Sequence, residues 1–305
     1  MLKLVVPEGQ DGETLTRCIG DMLPEMKRSR IAGLLRKGDI RVNGTGTKKD
    51  TDIFEGDIIE LYIADGIEDF LPKPEVVYED ELMVIFNKPQ GISSIPDRKD
   101  GKPTMYDVAV SYMKDTGEYN VDTLSVPYVC HRLDHFTGGL LIVGKSQYAF
   151  EHLTQAIRQR RIRKFYKAIV IGDTGDGRAE LHDYLIKDAR NARVKVVRAP
   201  SREAVPIVTR YQTEETNGRL SRIDVELVTG RTHQIRAHMA YAGHPVLGDD
   251  KYGNRRINKK LGIRHQALWA YKLVFQTGKN NSLEYLDGLT IETKHIDLPY
   301  VDLVD

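Results

Sequence analysis

The stretch HRLDHFTGGLLIV at residues 131–143 joins a polar loop to a run of four apolar residues. The run at 140–143 is short, partly β-branched and preceded by two glycines, which is typical of a buried strand. Because Arg132 and Asp134 come just before that strand, we expect them to lie at a sheet edge that the core makes rigid. The stretch therefore predicts a sheet with a charged loop at one edge.

Short apolar runs alternate with helical patterns on both sides of this stretch. The predicted strands are 76–78, 83–86, 165–171 and 223–228, and the predicted helices are 104–114, 146–157 and 232–240. No glycine-rich loop of the Rossmann or Walker type accompanies them. The mixture predicts an α+β fold.

The first 65 residues carry a pattern of their own. A helix is predicted from Leu15 to Leu23 and a second from the N-cap candidate Ser29 to Gly38, followed by strands at 40–42 and 58–62. Basic residues cluster around the second helix, namely Lys27, Arg28, Arg30, Arg36, Lys37 and Arg41. Glycine and prolines at 66–74 predict a linker. We therefore expect one domain at 1–65, a linker at 66–74 and a second domain at 75–305.

The composition narrows the class of protein. The 305 residues carry a net charge of +1 and are 40% hydrophobic, as in ordinary soluble globular proteins. Two distant cysteines, Cys18 and Cys130, argue against a disulfide framework or a zinc ribbon and fit a reducing compartment. No apolar run reaches the roughly 20 residues that span a bilayer, and the N-terminus lacks a signal-peptide pattern. We expect a cytoplasmic protein.

The segment RQRRIRKFYK at 158–167 contains six positive charges in ten residues. Such a run suits contacts with RNA phosphates, and its aromatic residues could stack on a base. We name Arg160, Arg161, Arg163 and Lys164 as candidate RNA-binding residues. The alternative is a solvated helix end whose cations offset the helix dipole. Tyr166 could equally be an ordinary core tyrosine.

The segment VTGRTHQIRAH at 228–238 predicts a tight turn at Gly230 followed by a helix. Arg231 lies where the helix begins, so we expect it to face a carboxylate or a phosphate. His233, His238 and His244 raise the possibility of a metal site. Their spacing does not align them on one helical face, and no metalloprotease pattern is present, so we predict no metal.

Asp134 is open to two interpretations from the residues alone. Neighbouring N–H groups and Arg132 would favour its ionised form, and an oriented carboxylate can act as a base, a nucleophile or an electrostatic stabiliser. A structural Asp134–Arg132 ion pair in a turn explains the same pattern.

Five motifs in this order resemble the RluA-type family of RNA pseudouridine synthases. They are Asn87-Lys-Pro-Gln-Gly91, His131-Arg-Leu-Asp134-x-x-Thr137-x-Gly139, Lys164-x-Tyr166-x-Ala168, Thr229-Gly-Arg231-Thr-His-Gln-Ile-Arg236 and Pro245-Val-Leu-Gly248-Asp249-x-x-Tyr252-Gly253. The resemblance covers roughly residues 75 to 275. Gly138 departs from the family, which usually has serine there, and we expect this to loosen the loop slightly.

The resemblance implies a mixed, largely antiparallel sheet and the isomerisation of uridine within structured RNA, without a metal or organic cofactor. It implies that Asp134 is the catalytic carboxylate, by attack on the sugar, attack on the base or a glycal route. Tyr166 matches the tyrosine that packs on the base, and Arg231 matches the basic residue that pairs with the aspartate. Arg132 matches a loop arginine that helps to displace the target nucleotide, which must leave its stack before it can react.

The N-terminal unit resembles the small α/β RNA-binding domain of the ribosomal-protein-S-four type. That resemblance makes Arg30, Arg36 and Lys37 candidate RNA-binding residues and favours large-subunit ribosomal RNA over transfer RNA as the substrate. We expect a monomer with no protein partner and no membrane association. Two other hypotheses stay open from the sequence: a non-catalytic RNA-binding or assembly protein, and a metal-dependent hydrolase built on the histidines.

Overall fold

The chain divides into two compact units. One comprises Met1–Pro74 with Ser93–Pro127, and the other comprises Glu75–Ile92 with Tyr128–Asp305. The computed structural model describes residues 2–7, 9–23, 26–62, 71–96, 102–175, 177–188 and 192–299, so residues 66–70 of the predicted linker lie outside the described residues. Because residues 93–127 group with the N-terminal part, the domain limits 1–65 and 75–305 stay a prediction.

The first unit contains two small sheets and three helices in its described part. Its elements are β1 (Leu2–Val5), β2 (Glu13–Thr14), α1 (Leu15–Met22), α2 (Arg28–Lys37), β3 (Ile40–Val42), β4 (Thr45–Thr47), β5 (Asp52–Ile53), β6 (Ile58–Leu61) and α3 (Met105–Asp115). The larger sheet has the order β1-β6-β3-β4, with antiparallel pairs throughout. Apolar residues of α1, α2 and the strands share one core.

Local signals account for the turns of this unit. Asn43 and Gly44 adopt φ values of 51° and 78° between β3 and β4, the left-handed conformation that a two-residue Asn-Gly hairpin turn requires. Gly38 ends α2 in the left-handed conformation, as expected. The N-cap prediction at Ser29 is wrong, because α2 begins at Arg28 with Lys27 in the capping position. Ser29 therefore lies within the first turn.

The second unit is built on a large mixed sheet. Its elements are β7 (Val76–Glu79), β8 (Met83–Lys88), β9 (Tyr128–Val129), β10 (Gly138–Gly144), α4 (Gln147–Arg158), β11 (Ile162–Ile171), β12 (Arg178–Asp188), β13 (Arg193–Val197), β14 (Val205–Thr216), β15 (Leu220–Leu227), α5 (Gln234–Tyr241), α6 (Arg255–Leu261), β16 (Leu268–Phe275) and β17 (Thr290–Glu292). The order is β13-β12-β14-β15-β11-β16-β10-β8-β7, with β17 on β16 and β9 on β10.

Within this sheet the β10–β16 pair is parallel and the other pairs are antiparallel. The α+β prediction with a mixed, largely antiparallel sheet is confirmed. Helix α4 packs its apolar side against β8, β10 and β16. Helix α5 contributes Ala237 to a second cluster with β12, β13 and β14. No helix in the described part of the chain is long and apolar enough to span a bilayer.

Candidate active site

The loop from His131 to Thr137 is held at one end by β10 and at the other by Gln266, which lies just before β16. The imidazole Nε2 of His131 accepts the Ile142 N–H at 3.1 Å, and the Thr137 hydroxyl accepts a hydrogen bond of 2.7 Å from Gln266. Burial, and secondarily the charge of Lys164, lowers the pKa of His131 to about 3. His131 is therefore neutral, as a ring nitrogen that accepts a hydrogen bond must be. The loop is a rigid part of the sheet edge.

Lys88, at the end of β8, ties the same loop to the core. Its side chain is fully buried, and Nζ donates to the carbonyls of Pro89 (2.9 Å), Ile92 (2.8 Å) and His135 (3.3 Å). Burial lowers the pKa of Lys88 to about 7, and the Asp134 carboxylate opposes that shift. Lys88 thus supports the loop that carries Asp134.

Gly138 does not loosen this loop. It is the buried first residue of β10 and pairs with Trp269 on β16. A Cβ atom at Gly138 would lie 2.2 Å from the Trp269 ring, so the indole occupies the space where the family usually has a serine side chain. The indole N–H also donates to Asn87 Oδ1 at 3.2 Å. The expectation of a looser loop is wrong, because Trp269 fills the position.

Gly138→Ser is expected to lower the free energy of unfolding by about 3 kcal/mol, because the new Cβ meets a buried ring rather than a flexible chain end. Combining it with Trp269→Leu makes room for the serine. Urea unfolding of both single variants and the double variant measures the coupling. We expect the double variant to lose less stability than the two single variants lose together. The difference should be at least about 1 kcal/mol. Strictly additive effects would contradict the packing described.

Asp134 is paired with Arg236 and not with Arg231. The Arg236 Nη1 atom donates to Asp134 Oδ2 at 2.7 Å, while Nε and Nη2 donate to the two oxygens of Asp249 at 2.6 and 3.0 Å. Arg231 is exposed in the loop before α5. Its backbone N–H donates to Gln234 Oε1, so the chain folds back and the helix begins only at Gln234. The predicted pairing of Arg231 with Asp134 is therefore wrong.

The Arg236–Asp249 pair anchors the centre of the site. Asp249 is fully buried, and Arg236 is 7% exposed. Burial raises the pKa of Asp249, but the hydrogen bonds and charge of Arg236 outweigh it, so the pKa falls below its usual range. Both groups are charged, and Arg236 uses one edge of its guanidinium for Asp249 while presenting Nη1 to Asp134. This fixes one oxygen of the Asp134 carboxylate.

The second oxygen of Asp134 is available for chemistry. The Asp134 side chain is 25% exposed, and the ion-pair contact of Oδ1 is with His233 Nε2 at 3.9 Å, longer than a hydrogen bond. His233 Nδ1 lies 2.9 Å from the hydroxyl of Tyr252, which accepts the Val194 N–H at 2.9 Å. Burial lowers the pKa of His233, with Asp134 opposing. A neutral imidazole thus flanks the free oxygen.

Tyr166 lies on β11 beside this carboxylate. The register between β11 and β16 shifts between Phe165 and Tyr166, a bulge of the kind that re-aims side chains next to active sites. Tyr166 is 5% exposed. Burial, and after it the charge of Asp134, raises the pKa of the Tyr166 hydroxyl, which is therefore protonated at neutral pH. The structure brings Tyr166 and Asp134 together and leaves Arg231 apart.

The candidate RNA-binding residues fall into different settings. Arg132 is exposed on the loop that carries Asp134, and Arg160 is exposed after α4. Arg161 donates to the Thr277 carbonyl at 3.1 Å, and Arg163 is paired with Glu226 at 2.8 Å. In the first unit, Arg36 and Lys37 are exposed in the last turn of α2, and Arg30 is half-buried in its first turn.

Two of the three histidines considered as metal ligands, His233 and His238, have other partners. His233 contacts Tyr252, and His238 contacts Thr209 at 2.9 Å and Asp183 at 3.2 Å. Among the residues that the structure describes, no group of three or more His, Cys, Asp or Glu side chains could hold a metal ion.

Two residues of the site, Arg236 and Asp249, were missed as functional residues from the sequence, although both stand in the quoted motifs. One signal could have found Arg236: it lies inside the predicted helix between Ile235 and Ala237, where a buried cation needs a carboxylate. Asp249 carried no such signal, because its burial depends on the fold.

Known proteins are similar in sequence to this chain. Residues 82–241 match the RNA pseudouridylate synthase family model. Ribosomal large subunit pseudouridine synthase D of Vibrio parahaemolyticus is 32% identical, over 90% of this chain and 87% of that protein. Synthase D of Neisseria meningitidis is 31% identical, over 92% and 77%, and synthase C of Vibrio parahaemolyticus is 28% identical, over 90% and 89%.

The fold is also that of a solved structure, human RNA pseudouridylate synthase domain containing 4. It aligns with a TM-score of 0.57 and 22% identity, covering 73% of this chain and 88% of that one. With the family match over more than half of the sequence, the conclusion is direct. The chain belongs to the RNA pseudouridylate synthase family and is an RNA pseudouridine synthase.

Proposed function

We propose that this enzyme isomerises uridine to pseudouridine in large-subunit ribosomal RNA, with Asp134 as its catalytic carboxylate. The observation that carries the proposal is the asymmetric setting of that carboxylate: Arg236 holds Oδ2 at 2.7 Å, while Oδ1 accepts no hydrogen bond from the described part of the chain. The relatives named above as ribosomal large subunit synthases support the choice of RNA.

The reaction needs a group that can act on the sugar or the base without being consumed. The bond between N1 and C1′ breaks, the uracil turns, and a bond between C5 and C1′ forms, while the proton leaves C5 and N1 gains one. Asp134 can attack the sugar, attack the base or take a proton from the sugar on the glycal route, and each path uses a free carboxylate oxygen. The Oδ1 atom meets that requirement.

Tyr166 and Arg132 complete the proposed machinery. The protonated hydroxyl and ring of Tyr166, buried next to Asp134, suit packing on the uracil and donating a hydrogen bond to it. The target nucleotide must leave its stack to reach Asp134, at a cost of a few kcal/mol. The exposure of Arg132 on the same loop supports a role for it in holding the RNA from which the base has been turned out.

We further propose that the N-terminal unit binds the same RNA, as the ribosomal-protein-S-four type of domain would. The exposed Arg36 and Lys37 at the end of α2 support this, with Arg30 in the first turn of the same helix. Exposed cations at the C-terminal end of a helix also offset its dipole, so their charge has a structural use as well. The proposed site of action is the cytoplasm, where ribosomal RNA is assembled in bacteria such as those of the relatives. A monomeric state stays a prediction.

The test compares two RNA classes with the full-length protein. Large-subunit ribosomal RNA transcribed in vitro and a pool of unmodified transfer RNA transcripts are incubated with the enzyme, and pseudouridines are mapped by mass spectrometry. We expect conversion of one or a few defined uridines in the ribosomal RNA. Conversion in transfer RNA alone would overturn the substrate class, and no conversion in either RNA would overturn the proposed function.

A further inference from the structure

A basic groove lies at the start of β11 and the end of β15, in the second unit. It is a cavity of about 780 Å³ whose lining includes Arg158, Arg160, Arg163, Lys164, Arg210 and Arg231. Glu226 is the one carboxylate in that lining, and no aromatic side chain contributes to it. A groove with cations and no stacking surface is suited to a phosphate backbone rather than to bases.

Four of the six cations are not neutralised by the protein. Glu226 is shared by Arg163 at 2.8 Å and Arg210 at 3.4 Å. Within the described part of the chain, no carboxylate lies within ion-pair distance of Arg158, Arg160, Lys164 or Arg231. The free charge is therefore concentrated on the helix end, on the start of β11 and on the loop before α5.

The position of Lys164 shows that the groove keeps space for its ammonium group. A Cβ atom at residue 230 would lie 3.3 Å from Lys164 Nζ, and the residue there is glycine. Burial lowers the pKa of Lys164 to about 8. An anion in the groove would stabilise the charged form of this ammonium group, which burial disfavours.

Arg160 adds a conformational observation. It follows α4 with a φ of 61°, the left-handed conformation that glycine or asparagine adopts most easily after a helix. An arginine there costs about 1 kcal/mol relative to glycine. Its side chain is exposed and has no ion-pair partner in the described part of the chain, so no contact within that part offsets the cost of arginine over glycine.

We propose that this groove binds consecutive backbone phosphates of the RNA substrate and that Arg231 and Arg160 contact those phosphates. The inference rests on the proposed function and adds the substrate feature that the groove recognises. Arg161 is excluded, since it serves the Thr277 carbonyl. Arg231 is a binding residue in this account and takes no part in the chemistry at Asp134.

The experiment measures the affinity of Arg160→Gln/Arg231→Gln for two probes, an oligouridylate and large-subunit ribosomal RNA, over a range of salt concentrations. The slope of log K against log salt is negative, and each lost phosphate contact makes it shallower by about 0.7 for a single strand. We therefore expect the slope of the double variant to be shallower by about 1.4. At 0.1 M salt this corresponds to roughly 25-fold weaker binding of the oligouridylate. In the isomerisation assay the double variant should have a higher KM and an unchanged kcat. Arg231→Lys keeps the positive charge at this position, so replacing glutamine by lysine there should restore most of the affinity that Arg231→Gln removes.

Arg219→Gln is the matched control. It removes one exposed positive charge at the opposite end of β15, about 26 Å from the groove by strand length. We expect its affinity and salt slope to equal those of the parent. An unchanged slope in the double variant, or a fall in kcat with unchanged affinity, would overturn the inference.

The two probes separate the inference from the proposed function. Oligouridylate affinity tests the groove whatever the natural substrate is, whereas conversion of ribosomal RNA by the parent enzyme tests the function. A parent enzyme that converts ribosomal RNA while the double variant binds like the parent overturns the groove alone.

Discussion

Arg236→Met is expected to lower the free energy of unfolding by about 3–5 kcal/mol and to remove isomerase activity. The substitution leaves Asp249, which is fully buried, without the guanidinium that binds both of its oxygens. A buried carboxylate without a partner is strongly unfavourable. The same substitution frees Asp134 Oδ2, so the carboxylate that we propose as catalytic is no longer held.

A double variant separates the two effects. Arg236→Met/Asp249→Asn removes the buried charge, and the amide oxygen introduced by the second substitution can still accept the N–H groups of Lys251 and Tyr252, which bind Asp249 Oδ1 at 2.8 and 2.9 Å. We expect urea unfolding to show that it regains part of the lost stability while activity stays absent. Equal stability of the single variant and the parent would show that the pair is not the anchor described.

Asp134→Asn is expected to reduce the single-turnover rate by about 10⁴-fold or more while the fold is retained. The amide keeps the shape of the side chain, and its oxygen can accept from Arg236 Nη1, while Arg236 stays paired with Asp249. The amide lacks the charge that a nucleophile or base needs. We expect the free energy of unfolding to change by less than about 1 kcal/mol.

The control for that variant is Asp250→Asn. It makes the same chemical change at an exposed carboxylate next to Asp249 and should leave the rate unchanged. An Asp134→Asn enzyme that turns over at the parental rate, with the control equally active, would remove Asp134 from the chemistry.

Several strands and helices could be predicted from the sequence because their patterns involve residues that are close together in the chain. The run at 140–143 lies in β10, and the predicted helices at 104–114 and 146–157 are shifted by one residue or less at either end in α3 and α4. Apolar periodicity and turn residues act within a few positions, so a single sequence carries them. The N-cap prediction at Ser29 was wrong by two residues, because the start of a helix is weakly defined when no side chain makes a capping hydrogen bond.

The partner of Asp134 could not be predicted in the same way. Arg231 and Arg236 stand in the same motif, and the one that reaches Asp134 is decided by where α5 begins and which face it buries, across a separation of 102 residues. Trp269 against Gly138 is a similar case, since the two meet only through the parallel β10–β16 pair. Side-chain contacts of this kind form only in the assembled sheet, so a single sequence does not reveal them.

The central claim is that the enzyme isomerises uridine with Asp134 as its catalytic carboxylate. Release of the C5 hydrogen tests this claim most directly. Large-subunit ribosomal RNA containing [5-³H]uridine is mixed with excess parent enzyme, Asp134→Asn or Asp250→Asn, and tritium released to water is counted beside the pseudouridine formed. We predict equal amounts of tritium and pseudouridine for the parent and the control, and neither for Asp134→Asn. Tritium release by Asp134→Asn at the parental rate, or no release by the parent enzyme, would contradict the claim.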